Sequence, residues 1–152
     1  MNGSNRLPDD VAILVTDSPS NGDVTAVSEA LDAFNIDLTG IEDRRSLAVL
    51  IRDEATGKTI GGITGKTSMA VWFVDLFYVP PALRGSGLGS RLLGQAEEEA
   101  IRRGCTTGFL YTISFQAPQF YERHGWTEFG RIPCEPAGSS RIFMSKDLAP
   151  LG

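Results

Sequence analysis

The sequence predicts an α/β chain whose strands and helices follow the order β-α-β-β-β-α-β-α-β-β. Three observations lead there. Val71 to Tyr78 is an apolar, aromatic run that reads as a buried strand. A glycine-rich turn follows it, and a helical pattern then runs to Arg103. In that helix Leu88, Leu92, Leu93, Ala96, Ala100 and Ile101 share one face, while Arg91, Glu97, Glu98, Arg102 and Arg103 lie largely off it.

Taken in order, residues 1–10 are polar and read as a flexible lead-in, with 11–148 as a single domain. Val11 to Val15 reads as a first strand. Asp17 to Gly22 is turn chemistry. Val24, Val27, Leu31 and Phe34 recur at helical spacing, which predicts an amphipathic helix from Asp23 to Asn35. Asn35 to Arg45 is irregular, with Gly40 as a breaker. Ser46 to Arg52 is a strand, and Glu54-Ala55-Thr56-Gly57 turns it into a second, Lys58 to Thr67. A short turn near Ser68 to Ala70 leads into the strand Val71 to Val79, so these three form an antiparallel meander. Gly104 stops the long helix. Thr107 to Ile113 is a strand, and Ala117 to His124 a short helix with Pro118 in its first turn, where a missing N–H is harmless. Trp126 to Ile132 and Ser140 to Lys146 are the last strands, with Pro133 to Gly138 as the loop between them.

Composition narrows the function. A chain of 152 residues with 41% hydrophobic and 22% charged content suits one soluble domain with its own core. A formal charge of −5 argues against nucleic acid, whose phosphates need clustered Lys and Arg. It mildly favours a cationic substrate. No apolar run approaches the roughly 20 residues that span a bilayer, and Met1 to Arg6 lacks the apolar core of a signal peptide. Cys105 and Cys134 have no metal-ligand spacing. A reduced, cytoplasmic protein without a metal is the simplest expectation; a disulfide between the two stays open.

The glycine-rich turn carries the chemistry. It reads Arg84-Gly85-Ser86-Gly87-Leu88-Gly89-Ser90. A turn at a helix start aims several backbone N–H groups at one point, where the helix's partial positive charge favours an anion. Gly85, Gly87 and Gly89 have no side chain to block the approach, and Arg84 adds a permanent cation. The reading is a pyrophosphate cradle. The dinucleotide fingerprint G-x-G-x-x-G does not fit, because the third glycine is misplaced. The nucleoside-triphosphate loop also fails: Gly65-Lys66-Thr67 supplies its tail, but Ile60 stands where its first glycine is required.

The pattern that fits is Arg/Gln-x-x-Gly-x-Gly/Ala, met by Arg84, Gly87 and Gly89 directly after a strand. This is the acetyl-CoA signature of the GNAT superfamily of N-acetyltransferases, which the chain resembles from about Val11 to Leu148. A second landmark agrees: Ala117 to Trp126 is similar to the superfamily's A-x-x-x-Y-E/K-x-x-G-F/W segment. The resemblance implies a central mixed, mostly antiparallel sheet of about seven strands flanked by helices. It implies acetyl-CoA as cosubstrate, bound at Arg84, Gly85, Ser86, Gly87, Leu88, Gly89 and Ser90. Main-chain groups of Phe77 and Val79 would pair with the pantetheine arm. Many relatives also carry an Asn three residues before the Ala; here Ser114 takes that place, and its hydroxyl would serve the same arm.

Tyr121 is the family's position for the acid that protonates or hydrogen-bonds the departing thiolate. Many relatives place a carboxylate base where this chain has Phe73. Asp75 lies two residues on, and period-2 alternation puts it on the same face as Phe73 and Phe77. A lone Asp in so apolar a run is costly to bury unless paired or functional, so Asp75 is the candidate base, directly or through a water. The only histidine, His124, reads as a solvent-facing cap beside Gly125. Tyr111 and Trp72 fit either an acceptor pocket or core packing, and Glu97 to Glu99 read as a solvated face.

The expected activity is direct transfer of an acetyl group from acetyl-CoA to a primary amine of a small molecule or peptide, with no acyl-enzyme, since neither Cys sits in a nucleophile motif. Two alternatives stand beside it: a transferase using another acyl-CoA or a hydroxyl acceptor, and a catalytically inactive CoA-binding regulatory domain. The family often dimerises, and the sequence leaves a homodimer open.

Overall fold

The structure, a computed structural model, describes residues 6–150. It divides into two compact units, one ending at Glu42 and one beginning at Asp43.

The first unit holds one helix, α1 (Asn21–Thr39). A capping box starts it. The Ser20 hydroxyl accepts from the Asp23 N–H at 3.0 Å, and the Asp23 carboxylate accepts from the Ser20 N–H at 2.9 Å. These bonds satisfy N–H groups that a helix start leaves without partners. Gly40 ends the helix in the left-handed region, its N–H donating to the Ile36 carbonyl at 2.7 Å. The helix is therefore longer at both ends than apolar periodicity predicts, because caps and not periodicity set its limits. The expected strand at Val11 to Val15 does not form. Those residues are exposed, Val15 at 95%, and they join no ladder. A strand is stable only when its N–H and C=O groups pair with a neighbour.

The second unit is a single sheet with helices. Its strands are β1 (Arg45–Arg52), β2 (Thr59–Ser68), β3 (Val71–Tyr78), β4 (Thr107–Ile113), β5 (Thr127–Cys134) and β6 (Ser139–Asp147), in the order β1-β2-β3-β4-β6-β5. Every neighbouring pair is antiparallel except β3 and β4, which are parallel. The sheet is thus mixed and mostly antiparallel, with six strands. A helix must lie between two parallel strands in sequence, and α2 (Leu88–Arg102) does so here. A 3-10 turn, Pro81–Leu83, precedes α2, and a short helix, α3 (Pro118–Arg123), follows β4.

The core lies between α2 and one face of the sheet. Leu92, Leu93, Ala96 and Ala100 of α2 are buried in a cluster with Leu47, Ile63, Trp72, Val74 and Leu110. Trp72 is 1% exposed and meets Trp126 edge-on at 5.8 Å, so it is a core residue and not a pocket wall. Of the acidic run, only Glu98 is exposed. Glu97 forms a 2.6 Å ion pair with Lys146, and Glu99 accepts from Arg102 at 3.1 Å and Arg103 at 3.0 Å.

Two local departures from regular pairing shape the site. Thr64 pairs with Leu76, but Gly65 pairs with Val74, which leaves Asp75 as the extra residue of a β-bulge. The strands approach so closely there that a Cβ built on Gly65 would lie 1.9 Å from the Phe73 carbonyl oxygen. The bulge therefore requires glycine at 65. The second departure is at β3 and β4. They pair only from Val71–Thr107 to Phe73–Phe109 and then part.

Candidate functional site

Where β3 and β4 part, a cavity of about 670 Å³ opens, well within the size range of ligand pockets. Phe77, Tyr78 and Val79 line it from the β3 side and Thr112 from β4. Arg84, Gly85, Gly87, Gly89 and Ser90 line it from the glycine turn. Phe115, Gln116, Ala117, Phe120, Tyr121 and Arg123 complete it.

The turn is built for an anion. Gly85 and Gly87 both have φ +81, a left-handed conformation that costs glycine little. Nothing lies within 4 Å of where their Cβ atoms would be, so the space above them is open. Gly87 is the N-cap of α2 and offers no side chain to the first-turn N–H groups. Those groups have no partner within the helix, and Gly89 and Ser90 of that first turn line the cavity. Arg84 is fixed beside them: its Nε donates to the Val79 carbonyl at 2.8 Å, and its guanidinium lies 5.6 Å from the Tyr78 ring centroid. Arg123 adds a second cation to the lining. The donor set fits a pyrophosphate or similar anion, held by backbone and Arg.

Further in, the cavity turns apolar. Phe77 stacks on Phe120 with ring centroids 5.7 Å apart. Gly89 lies against the same pair: a Cβ there would meet Phe120 at 3.6 Å and Phe77 at 3.8 Å. Tyr121 is 7% exposed, and its burial pushes the phenol up to about 12. It stays protonated at any working pH and is a donor by default. The combination of cationic mouth, apolar throat and buried phenol suits a long ligand with an anionic head and a reactive end.

Of the residues expected from the sequence, Phe77, Val79, Arg84, Gly85, Gly87, Gly89, Ser90 and Tyr121 come together in this cavity. Four lie outside its lining, Asp75 among them. The Ser86 hydroxyl donates to the Leu83 carbonyl at 2.7 Å, which braces the turn. Leu88 packs on the core. The Ser114 hydroxyl accepts from the Ser140 N–H at 3.0 Å and ties the end of β4 to β6. Gln116 lines the cavity instead, its Oε1 accepting from the Ile113 N–H at 3.0 Å and paired with the Thr112 hydroxyl at 3.1 Å. Sequence reasoning did not assign Tyr78, Thr112, Phe115, Gln116, Ala117, Phe120 or Arg123 to the site. Ala117, Phe120 and Arg123 lie in the segment around Tyr121 that the sequence singled out, and Tyr78 lies between Phe77 and Val79; nothing signalled the other three.

Asp75 differs from expectation in two respects. It is exposed, so no burial cost has to be offset. It also does not share a face with Phe77. The bulge resets the alternation, so Phe77 joins the core side while Phe73 and Asp75 line a separate cavity of about 350 Å³. Tyr121 and Asp75 therefore stand in two different cavities. His124 is half-buried and not a free cap. Its Nε2 is 2.9 Å from the Ser90 hydroxyl, which links α3 to the first turn of α2. Tyr111 is exposed and lines neither cavity.

Both cysteines are free, and burial pushes the Cys105 thiol up, which makes it a poor nucleophile. Among the described residues no group of three or more His, Cys, Asp or Glu could hold a metal ion. No helix among them is long and apolar enough to cross a membrane.

Comparison with known proteins adds a family. The profile of the acetyltransferase (GNAT) family matches residues 15–126. The chain is 36% identical over 121 residues to the acetyltransferase Atu2258 of Agrobacterium fabrum, covering 80% of this chain and 88% of that one. It is 39% identical over 93 residues to the blasticidin-S acetyltransferase of Streptomyces morookaense, covering 60% and 68%. A crystal structure from Agrobacterium tumefaciens superposes with a TM-score of 0.78 at 32% identity, over 90% of this chain and 99% of that one.

Proposed function

The chain belongs to the acetyltransferase (GNAT) family, and on that premise we propose that it moves an acetyl group from acetyl-CoA directly to a primary amine of a small molecule or peptide. The observation that carries this reading is the slot between the parted β3 and β4, with an uncapped helix start and Arg84 at its mouth and Tyr121 within.

The chemistry follows from the groups available. The amine nitrogen bonds to the thioester carbonyl carbon and the carbon–sulfur bond breaks. The departing sulfur takes the Tyr121 proton, or a hydrogen bond from it. An ammonium has no lone pair, so the acceptor must first release a proton, which we assign to Asp75 directly or through a water. The first-turn N–H groups of α2, with Arg84, hold the pyrophosphate. The main chain of Phe77 and the Val79 N–H would pair with an extended arm as a further strand would, while the Val79 carbonyl holds Arg84. Ser114 acts at one remove, by holding the loop that carries Gln116.

The family match crosses the boundary between the two units, which supports residues 11–148 acting as one functional domain. A cytoplasmic location and an acceptor other than nucleic acid complete the reading; a homodimer is compatible with it. The test is release of the CoA thiol from acetyl-CoA in the presence of small amines, amino acids, aminoglycosides and peptides. Amine-dependent release supports the reading. Release with propionyl-CoA but not acetyl-CoA would move it to another acyl donor. Binding of acetyl-CoA with no release by any amine would overturn it.

A further inference from the structure

We propose that the acceptor is a small amine that also carries a carboxylate, with the carboxylate held at Lys66 and the amine at Asp75. The inference rests on the acetyl-transfer reading above and names the substrate class within it.

The second cavity is the basis. Arg44, Arg45, Lys66 and Asp75 line it, with Phe73 as its aromatic wall. Leaving Arg44 aside, Arg45 and Lys66 set two cations beside one carboxylate, in a chain whose net charge is −5. The local sign opposes the overall sign. A simple cationic amine would meet Asp75 but also net repulsion from the cations. A neutral amine would offer the Lys66 ammonium no anion. A molecule with both an ammonium and a carboxylate matches both signs at once.

The register keeps these groups together. Ser46 pairs with Lys66, Lys66 with Phe73, and Phe73 with Phe109, so the four form one row across β1, β2, β3 and β4. Lys66 Nζ lies 6.0 Å from the Phe73 ring centroid, which sets the ammonium against the wall of the cavity. The bulge then adds Asp75 beside this row, next to Gly65. Asp75 lies two residues beyond Phe73, where β3 and β4 stop pairing, on the other side of β3 from Phe77. Within its own cavity the carboxylate is thus nearest the parting of the strands, and the cations stand further from it, toward β1. This order sends the acceptor's amine toward the reaction and its carboxylate away from it. The volume of about 350 Å³ is at the low end for ligand pockets, which favours an amino acid over a peptide or an aminoglycoside.

The test compares acids with their isosteric neutral amides: β-alanine with β-alaninamide, and L-phenylalanine with L-phenylalaninamide, followed by thiol release from acetyl-CoA. The expected result is a kcat/KM at least about ten-fold higher for the better acid than for its amide, because a charge-assisted bond to the carboxylate is lost in the amide. Lys66→Gln should bring that ratio close to one through KM of the acid, and Lys66→Arg should keep most of it. Lys66 is exposed, so neither change threatens the fold. Amides acetylated as well as acids, or a ratio untouched by Lys66→Gln, would overturn the inference and leave acetyl transfer standing. No release with any amine would remove the parent reading, and this one with it.

Discussion

In the proposed reaction Tyr121 and Arg84 carry two separable effects. Tyr121→Phe removes the donor and keeps the ring, so kcat should fall by about 100-fold while KM for acetyl-CoA changes little. A steady-state comparison checks this; an unchanged kcat would take the acid role from Tyr121. The same residue has a stability signature. Its folded value of about 12 lies above the roughly 10 of an unfolded tyrosine. Stability from this group is therefore full below about pH 10 and is lost as pH climbs from about 10 to 12. Urea unfolding at a series of alkaline pH values should show that loss, and the Phe variant should show a flatter curve. Arg84→Ala should raise KM for acetyl-CoA about ten-fold with kcat nearly unchanged, since in the proposed binding mode the guanidinium would meet the phosphates in ground state and transition state alike. These residues were legible in the sequence because each sits at a fixed offset from a glycine or a helix start. Asp75 was legible as a residue but not in its face, since period-2 alternation holds only until a bulge interrupts it.

At the scale of elements, the turns decide more than the strands they join. The β2–β3 hairpin turns on Met69 and Ala70, both with positive φ and neither a glycine. Such a pair belongs to Asn-Gly or Gly-Gly. Asp43 compensates: its carboxylate accepts from the Met69 N–H at 3.0 Å and 3.2 Å. Ala70→Gly should relieve the strain at φ +65 and, after the larger entropy of an unfolded glycine, raise stability by about 0.5–1 kcal/mol. A thermal melt reads it; a lower midpoint would mean that the turn is not strained. The long helix α2 and the strands β1 to β4 were readable almost to the residue, because an apolar stripe marks the helix and turn residues bound the strands on either side. The ends of α1 were not, because Ser20 with Asp23 and Gly40 extend it beyond its apolar stripe.

For the whole molecule, one sheet does two jobs. Its covered face makes the core, and the gap between β3 and β4 makes the slot. Trp72 stands at the junction, one residue before the last β3–β4 pair and edge-on to Trp126. Trp72→Ala should cost about 3–5 kcal/mol, a large share of the roughly 5–15 kcal/mol that holds a domain of this kind. Denaturant unfolding would measure it, and a cost under about 1 kcal/mol would mean that the core repacks. The slot exists because three β3–β4 pairs are enough to hold two strands that then diverge. The bases of the two cavities are thereby set on opposite sides of one strand, with Phe77 on one and Asp75 on the other.

By itself the sequence determined the element order from α1 onward, the glycine turn, the family and about half of the residues that line the cavity beside that turn. Those signals are local: each depends on neighbours within one turn or one period. Only the tertiary structure decided that Val11 to Val15 joins no ladder, that Asp75 bulges away from Phe77, that Gln116 and not Ser114 lines the slot, and that Lys66 reaches the same cavity as Asp75. Each of these depends on how one segment packs or pairs with another, and strand register is set by the hydrophobic pattern of both partners and the geometry of the turns that join them, which neither segment specifies alone.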